Sequence, residues 1–110
     1  MRVYFYSEKH ISVFLDFFYD TPSDSHIIQG VMTDQDVELV GNLNGQMKYG
    51  EIVSVVGDLP EPEYIFDPMV GEWEYLLGFE YYGYRVGFVW FTDPNTTYST
   101  QVSVFRIQNS

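Results

Sequence analysis

Cysteine is absent from this chain and basic residues are scarce, and the two gaps together narrow its chemistry. Without cysteine there is no disulfide, no thiolate zinc site and no cysteine nucleophile. Only five Lys and Arg stand against sixteen Asp and Glu, which leaves a formal charge of −11. A field of that sign repels nucleic acid and anionic membrane surfaces and draws cationic proteins or peptides in. Long apolar runs are missing too, since no stretch approaches the roughly eighteen residues of a membrane helix. Residues 1–6 are too short an apolar stretch for a signal peptide before Glu8 interrupts them, so cytoplasmic residence is expected. Neither an internal repeat nor a low-complexity run is visible.

What the chain has is apolar material. Of its 110 residues 45% are hydrophobic and 19% aromatic, enough for one core and a single domain over residues 1–110. Residues 2–6 carry the β-branched and aromatic side chains of a first strand. Residues 8–19 place Ile11, Phe14, Leu15 and Phe18 at helical spacing, which predicts an N-terminal helix, with the alternation Val13, Leu15, Phe17, Tyr19 as the competing strand pattern. Residues 26–32 and 37–43 predict two strands joined by a polar connection. Asn44-Gly45 suits a type I′ turn, and residues 46–56 predict the returning strand. Pro60, Pro62 and Pro68 hold the next stretch in irregular or extended form.

The clearest alternation follows. Trp73, Tyr75, Leu77, Phe79 and Tyr81 share one face, expected to be buried, and Glu74, Leu76, Gly78 and Glu80 share the other, expected to be wet. Residues 85–91 are apolar on both sides, as in a central strand, with a turn at Tyr82-Gly83-Tyr84 before them. A turn at residues 93–97 and a last strand at residues 98–108 complete the pattern. The expected class is α+β: a curved, mainly antiparallel sheet or open barrel of about six or seven strands with one N-terminal helix. Gly30, Gly41, Gly50, Gly78 and Gly87 suggest bends or bulges in the strands.

Catalytic signatures are weak. His10 and His26 are the only side chains suited to base catalysis near neutral pH without a large pKa shift, and each reads better as a boundary residue. No serine sits in a Gly-x-Ser-x-Gly elbow. Glu72, Glu74 and Glu80 lie among aromatics as glycosidase carboxylates can, but 74 and 80 fall on the polar face of one strand. Asp34-Gln35-Asp36-Val37-Glu38 begins like a calcium loop, yet Leu39 and Gly45 occupy the positions where that loop requires Gly and Glu. Asn95-Thr96-Thr97 matches a glycosylation acceptor that a chain without a leader would not use. No enzyme activity, cofactor or metal is expected.

The acids themselves are the strongest feature. Between residues 34 and 80 lie eleven of them, with Lys48 the only base. The densest part, residues 58–67, combines Asp58, Glu61, Glu63 and Asp67 with prolines that restrict the chain and with Tyr64 and Phe66. Proline lowers the entropy lost on binding, and aromatic side chains supply contact area. If this loop shares a surface with the following strand, then Asp58, Glu61, Glu63, Tyr64, Asp67, Glu72, Glu74 and Glu80 form a partner-binding surface for a basic protein. The alternative is a solvated loop with Tyr64 and Phe66 tucked into the core.

An acidic domain of about a hundred residues, rich in Tyr and Trp, carrying these acids and without evident catalytic residues, resembles the immunity proteins of bacterial toxin systems, above all those of contact-dependent growth inhibition. The resemblance is one of general character over the whole chain, and it transfers no residue by position. It implies a toxin partner, often a basic nuclease, whose active site the domain covers. Two other readings are compatible with the same residues. One is a phage-encoded acidic mimic that occupies the nucleic-acid groove of a defence or repair enzyme. The other is a small-molecule or carbohydrate-binding module with Trp73 or Trp90 as its stacking platform, which requires at least one accessible tryptophan.

Overall fold

The computed structural model of the protein describes residues 2–6, 11–17 and 26–107. Among these residues seven strands form one open antiparallel sheet: β1 (Arg2–Tyr6), β2 (Ile11–Phe17), β3 (His26–Thr33), β4 (Glu63–Asp67), β5 (Glu72–Tyr81), β6 (Tyr84–Trp90) and β7 (Gln101–Arg106). Their order across the sheet is β1-β2-β3-β7-β6-β5-β4. Two meanders thus meet where β3 pairs with β7. Residues 34–62, which include the helix α1 (Tyr49–Val56), carry the chain from the middle of the sheet to its far edge.

The mixed class is as expected, but the helix is not at the N-terminus. Residues 11–17 of the predicted helix form β2, which pairs with β1 on one side and β3 on the other. Residues 8–10, 18 and 19 of that prediction lie outside the described residues. Ile, Val and Phe dominate this segment, and such side chains lose rotamer freedom in a helix but pack well on a pleated surface. A bulge between Phe14 and Leu15 faces Gly30, where a Cβ would come within 2.3 Å of the Phe105 ring.

The opposite correction falls on residues 37–56, read from the sequence as two strands. Residues 37–43 form a loop with one isolated bridge, Val40 to Leu43. Asn44-Gly45 makes no type I′ turn, because the left-handed glycine is Gly41 (φ 54°). Gly45 is needed for another reason: a Cβ there would lie 2.6 Å from the carbonyl oxygens of Thr33 and Gln35. Residues 49–56 are helical despite their valines. The Glu51 carboxylate accepts the Lys48 N–H at 3.0 Å, one half of a capping box and an acid in the first turn, both of which favour a helix start. Gly57 (φ 107°) ends the helix, its N–H donating to the Val53 carbonyl at 2.8 Å.

The core sits on one face of the sheet. Leu77 and Phe79 of β5, Val86, Phe88 and Trp90 of β6, and Val102 and Val104 of β7 pack under Leu43, Met47 and Ile52 from the crossing segment. Each fully buried side chain of this kind contributes roughly 1.5–3 kcal/mol. Polar contacts pin the crossing segment down. Trp90 Nε1 donates to the Met47 carbonyl at 3.0 Å. Ser99 Oγ accepts the Met47 N–H at 2.9 Å and donates to the Gly45 carbonyl at 2.9 Å.

Elsewhere the alternation reads through. β1, β3, β5 and β6 occupy nearly the expected residues. Tyr82 (φ 51°) and Gly83 (φ 79°) are both left-handed, as a two-residue type I′ hairpin demands. Residues 93–97 form the expected turn, with the Thr97 N–H and hydroxyl both donating to the Asp93 carbonyl. The last strand starts at Gln101 rather than 98. No helix among the described residues is long and apolar enough to cross a membrane.

Candidate functional site

Prolines 60, 62 and 68 bracket β4, and proline's missing N–H suits a strand with one unpaired side. Among the described residues β4 is indeed the outermost strand, pairing only with β5. The register sets Tyr64 against Tyr75, Ile65 against Glu74, Phe66 against Trp73 and Asp67 against Glu72. Strand alternation then sorts the hairpin into two faces. Tyr64, Phe66, Trp73 and Tyr75 lie on the face that carries the core further along β5, while Glu63, Ile65, Asp67, Glu72 and Glu74 lie on the other.

The aromatic face forms a ladder. Tyr64 stacks on Trp73 with ring centroids 5.1 Å apart and packs against Tyr75 at 4.6 Å, and Phe66 meets Trp73 at 5.6 Å. Yet Tyr64 is 54% exposed, Trp73 53% and Phe66 47%. The tight turn beyond them, closed by the Gly71 N–H donating to the Asp67 carbonyl at 2.8 Å, holds out Met69 at 92% exposure. Aromatic and methionine side chains gathered outside the core are of the kinds enriched at interaction surfaces.

The eight residues expected to bind a partner divide accordingly. Glu63, Asp67, Glu72 and Glu74 are brought together on one face of the hairpin, and Tyr64 projects from the other. Asp58 and Glu61 are exposed in the loop between α1 and β4. Glu80 stands apart: six residues along β5 from Glu74, about 20 Å at ordinary strand rise, it pairs across the strands with Arg85. Glu74 is also corrected. Expected on a wet face, it is only 6% exposed. Desolvation, a hydrogen bond with Asp67 and the nearby charges of Asp67 and Glu72 hold its carboxyl above the ordinary carboxylate range. It is a covered acid.

Trp73 requires the reverse correction. It was expected within a buried face, but the crossing segment covers β5 at Leu77 and Phe79, and the same face is open to solvent at Trp73. Met69 is the residue that sequence reasoning missed, while Phe66 and Trp73, named there as contact area and as a stacking platform, were left out of the partner-binding set. The three prolines carried the signal, because they make residues 63–67 an edge strand and leave its partner's first half at the rim.

Two concavities flank the hairpin. One, of about 230 Å3, lies on the aromatic side between Tyr49, Tyr75, Glu61, Asp93 and Asn95. The other, of about 400 Å3, lies on the opposite side over Gly78 and Gly87, bordered by Arg85, Glu61 and Glu63. Among the described residues no three His, Asp or Glu converge as metal ligands would. His26 opens β3, and His10 lies outside the described residues. No protein-family model, curated protein or solved structure matches this chain.

Proposed function

We propose that the protein is an acidic inhibitor of the immunity type, which binds a basic toxin domain, in the first instance a nuclease, and neutralises it by covering the active site. The observation that carries this reading is the β4–β5 hairpin, which exposes Tyr64, Phe66 and Trp73 on one face and carries the exposed Glu63 and Glu72 with the partly covered Asp67 on the other. Carboxylates steer a basic partner into encounter, and aromatic anchors supply the contact once it docks. The reading needs no catalytic residue and no cofactor.

The test is capture with the tagged domain from the lysate of the cell it comes from, at low and then high salt, with the Trp73→Ala variant in parallel. The expected result is one basic protein held stoichiometrically by the parent domain and lost from the variant. Its nuclease activity falls to background on adding one equivalent of domain. A protein held equally by parent and variant places the surface elsewhere. A captured defence or repair enzyme in place of a toxin selects the nucleic-acid mimic, which would use the same carboxylates.

A second reading has one observation in its favour. A small-molecule or carbohydrate-binding module needs an accessible tryptophan, and Trp73 is half exposed while Trp90 is fully buried. Trp73 already stacks on Tyr64, so a ligand would meet the aromatic ladder at its rim. Calorimetric titration with a panel of neutral oligosaccharides tests it, and heats that vanish in Trp73→Ala would favour it over the inhibitor.

A further inference from the structure

On the reading that the partner is a basic protein, we infer that the cavity between α1, β5 and the Asp93–Asn95 turn receives a lysine or arginine side chain of that partner. Its volume, about 230 Å3, leaves room for one long side chain, and its walls are of two kinds. Tyr49 and Tyr75 supply aromatic surface, and Glu61 and Asp93 supply carboxylates. Among the described residues no basic side chain lines it, so neither carboxylate meets a counter-charge within the cavity. A cationic head on an aliphatic stem matches this combination, because the stem packs on the rings while the head meets both the ring quadrupoles and the acids.

The cavity is built before a ligand arrives. The Tyr49 hydroxyl lies 2.8 Å from the Leu59 carbonyl oxygen and 3.0 Å from that of Pro60 and shares its proton between them. The Tyr49 N–H donates to the Pro94 carbonyl at 2.8 Å, which ties the start of α1 to the turn. Asp93 Oδ1 accepts the Asn95 N–H at 3.0 Å and the Asn95 side-chain amide at 3.2 Å. The carboxylate is therefore oriented by its own turn. Groups held in place in this way lose little freedom on binding.

Position strengthens the case. Tyr75 both lines the cavity and packs on Tyr64, so the cavity opens at the end of the ladder that runs through Trp73 to Phe66. A partner segment lying along the ladder would reach it with one side chain. The larger concavity on the opposite face offers no such preference, since Arg85 lines it together with Glu61 and Glu63. A second copy of this chain is a poor occupant, because its −11 charge would be brought against Glu61 and Asp93.

The experiment uses the whole domain and four probes: N-acetyl-arginine amide, N-acetyl-lysine amide, and the neutral citrulline and norleucine analogues, followed by nuclear magnetic resonance. The cationic probes are expected to bind with dissociation constants on the order of millimolar. They should shift the Tyr49 and Tyr75 ring signals and the Asn95 amide, and the neutral probes should bind about tenfold more weakly or not at all. Glu61→Gln with Asp93→Asn, which keeps the Oδ1 acceptor of the turn, should cost the cationic probes another three- to tenfold. Equal binding of citrulline, shifts that map elsewhere, or no saturable shift would overturn the inference.

The captured partner separates this result from the fate of the proposed function. If the partner binds the double variant as tightly as the parent but is lost from Trp73→Ala, the cavity is not its anchor and the inhibitor reading stands. If the arginine probe binds in the cavity and no basic protein is captured, the assignment of the occupant to a partner protein falls.

Discussion

Tyr64 and Trp73 stack at 5.1 Å and 21°, yet each keeps more than half of its surface exposed. A stacked pair in a core would exclude water from both rings. This pair instead stiffens an edge hairpin and presents it, which separates what each tryptophan does. Trp90 has no exposure and donates its indole N–H to the Met47 carbonyl, so Trp90→Ala should cost roughly 3–5 kcal/mol of stability. Trp73→Ala should cost about 1 kcal/mol, the typical value of an exposed aromatic contact. Against the captured partner, however, it should lose about 2 kcal/mol or more, close to 30-fold in Kd. Acrylamide quenching of the parent should show one accessible and one protected tryptophan, with only the protected one left in Trp73→Phe. Two protected tryptophans would remove the exposed ladder.

Glu74 gives the domain a pH dependence whose sign is set by its raised pKa. Its carboxyl is shielded by neighbours and faces Asp67 and Glu72, so the fold favours the protonated form. The stability this provides is fully present below the ordinary value of 4.5 and is lost as the pH rises through the raised value. Glu74→Gln keeps a hydrogen-bonding group beside Asp67 without the charge. It should therefore raise Tm at pH 7, and the gain should shrink toward zero below about pH 4.5. Thermal melts of both proteins between pH 4 and 7 measure the gap. A gap that stays constant across that range would mean that Glu74 titrates normally.

The sheet was legible wherever one face of a strand is buried along most of its length. β5 and β6 show this, with Leu77 opposite Phe88 and Phe79 opposite Val86 inside one core. What misled was composition that suits two states. Ile11–Phe17 satisfies helical and strand periods alike, and pairing on both sides decides it. Tyr49–Val56 is rich in valine, but the Glu51 contact, the Gly57 terminus and the burial of Ile52 make it a helix. The site was half legible. The acids and prolines announced an exposed segment, but the point along β5 where the crossing segment stops covering it depends on tertiary packing. Trp73 and Glu74 therefore exchanged their expected environments.

Ser99 joins segments that are distant in sequence, bonding to Met47 and Gly45 more than fifty residues away. Ser99→Ala removes the acceptor for the Met47 N–H and the donor to the Gly45 carbonyl in a region closed to solvent. Leaving such groups unsatisfied costs roughly 1–3 kcal/mol. Chemical denaturation should show that loss as a lower midpoint with an unchanged slope. Partner binding should be unaffected, because Ser99 is buried and belongs neither to the aromatic ladder nor to the cavity beside Tyr49. A variant as stable as the parent would mean that water replaces both bonds.

Charge reversal at Glu61 and Glu63 separates steering from docking. Both residues are exposed, Glu61 in the loop before β4 and Glu63 on the hairpin face opposite the aromatic ladder, and the pair of substitutions to Lys changes the formal charge by four, from −11 to −7. Rim charges act chiefly on the association rate, because they shape the field in which the partner diffuses before short-range contacts form. Stopped-flow association with the captured partner should therefore slow on reversal, and its dependence on ionic strength should flatten as screening loses charges to act on. Dissociation should change less, since Tyr64, Phe66 and Trp73 remain to hold the complex. If association keeps both its rate and its salt dependence, the partner approaches a different face. The acids of residues 58–67 would then serve solubility and the protection of an edge strand from self-pairing, a role that repulsion alone can fill.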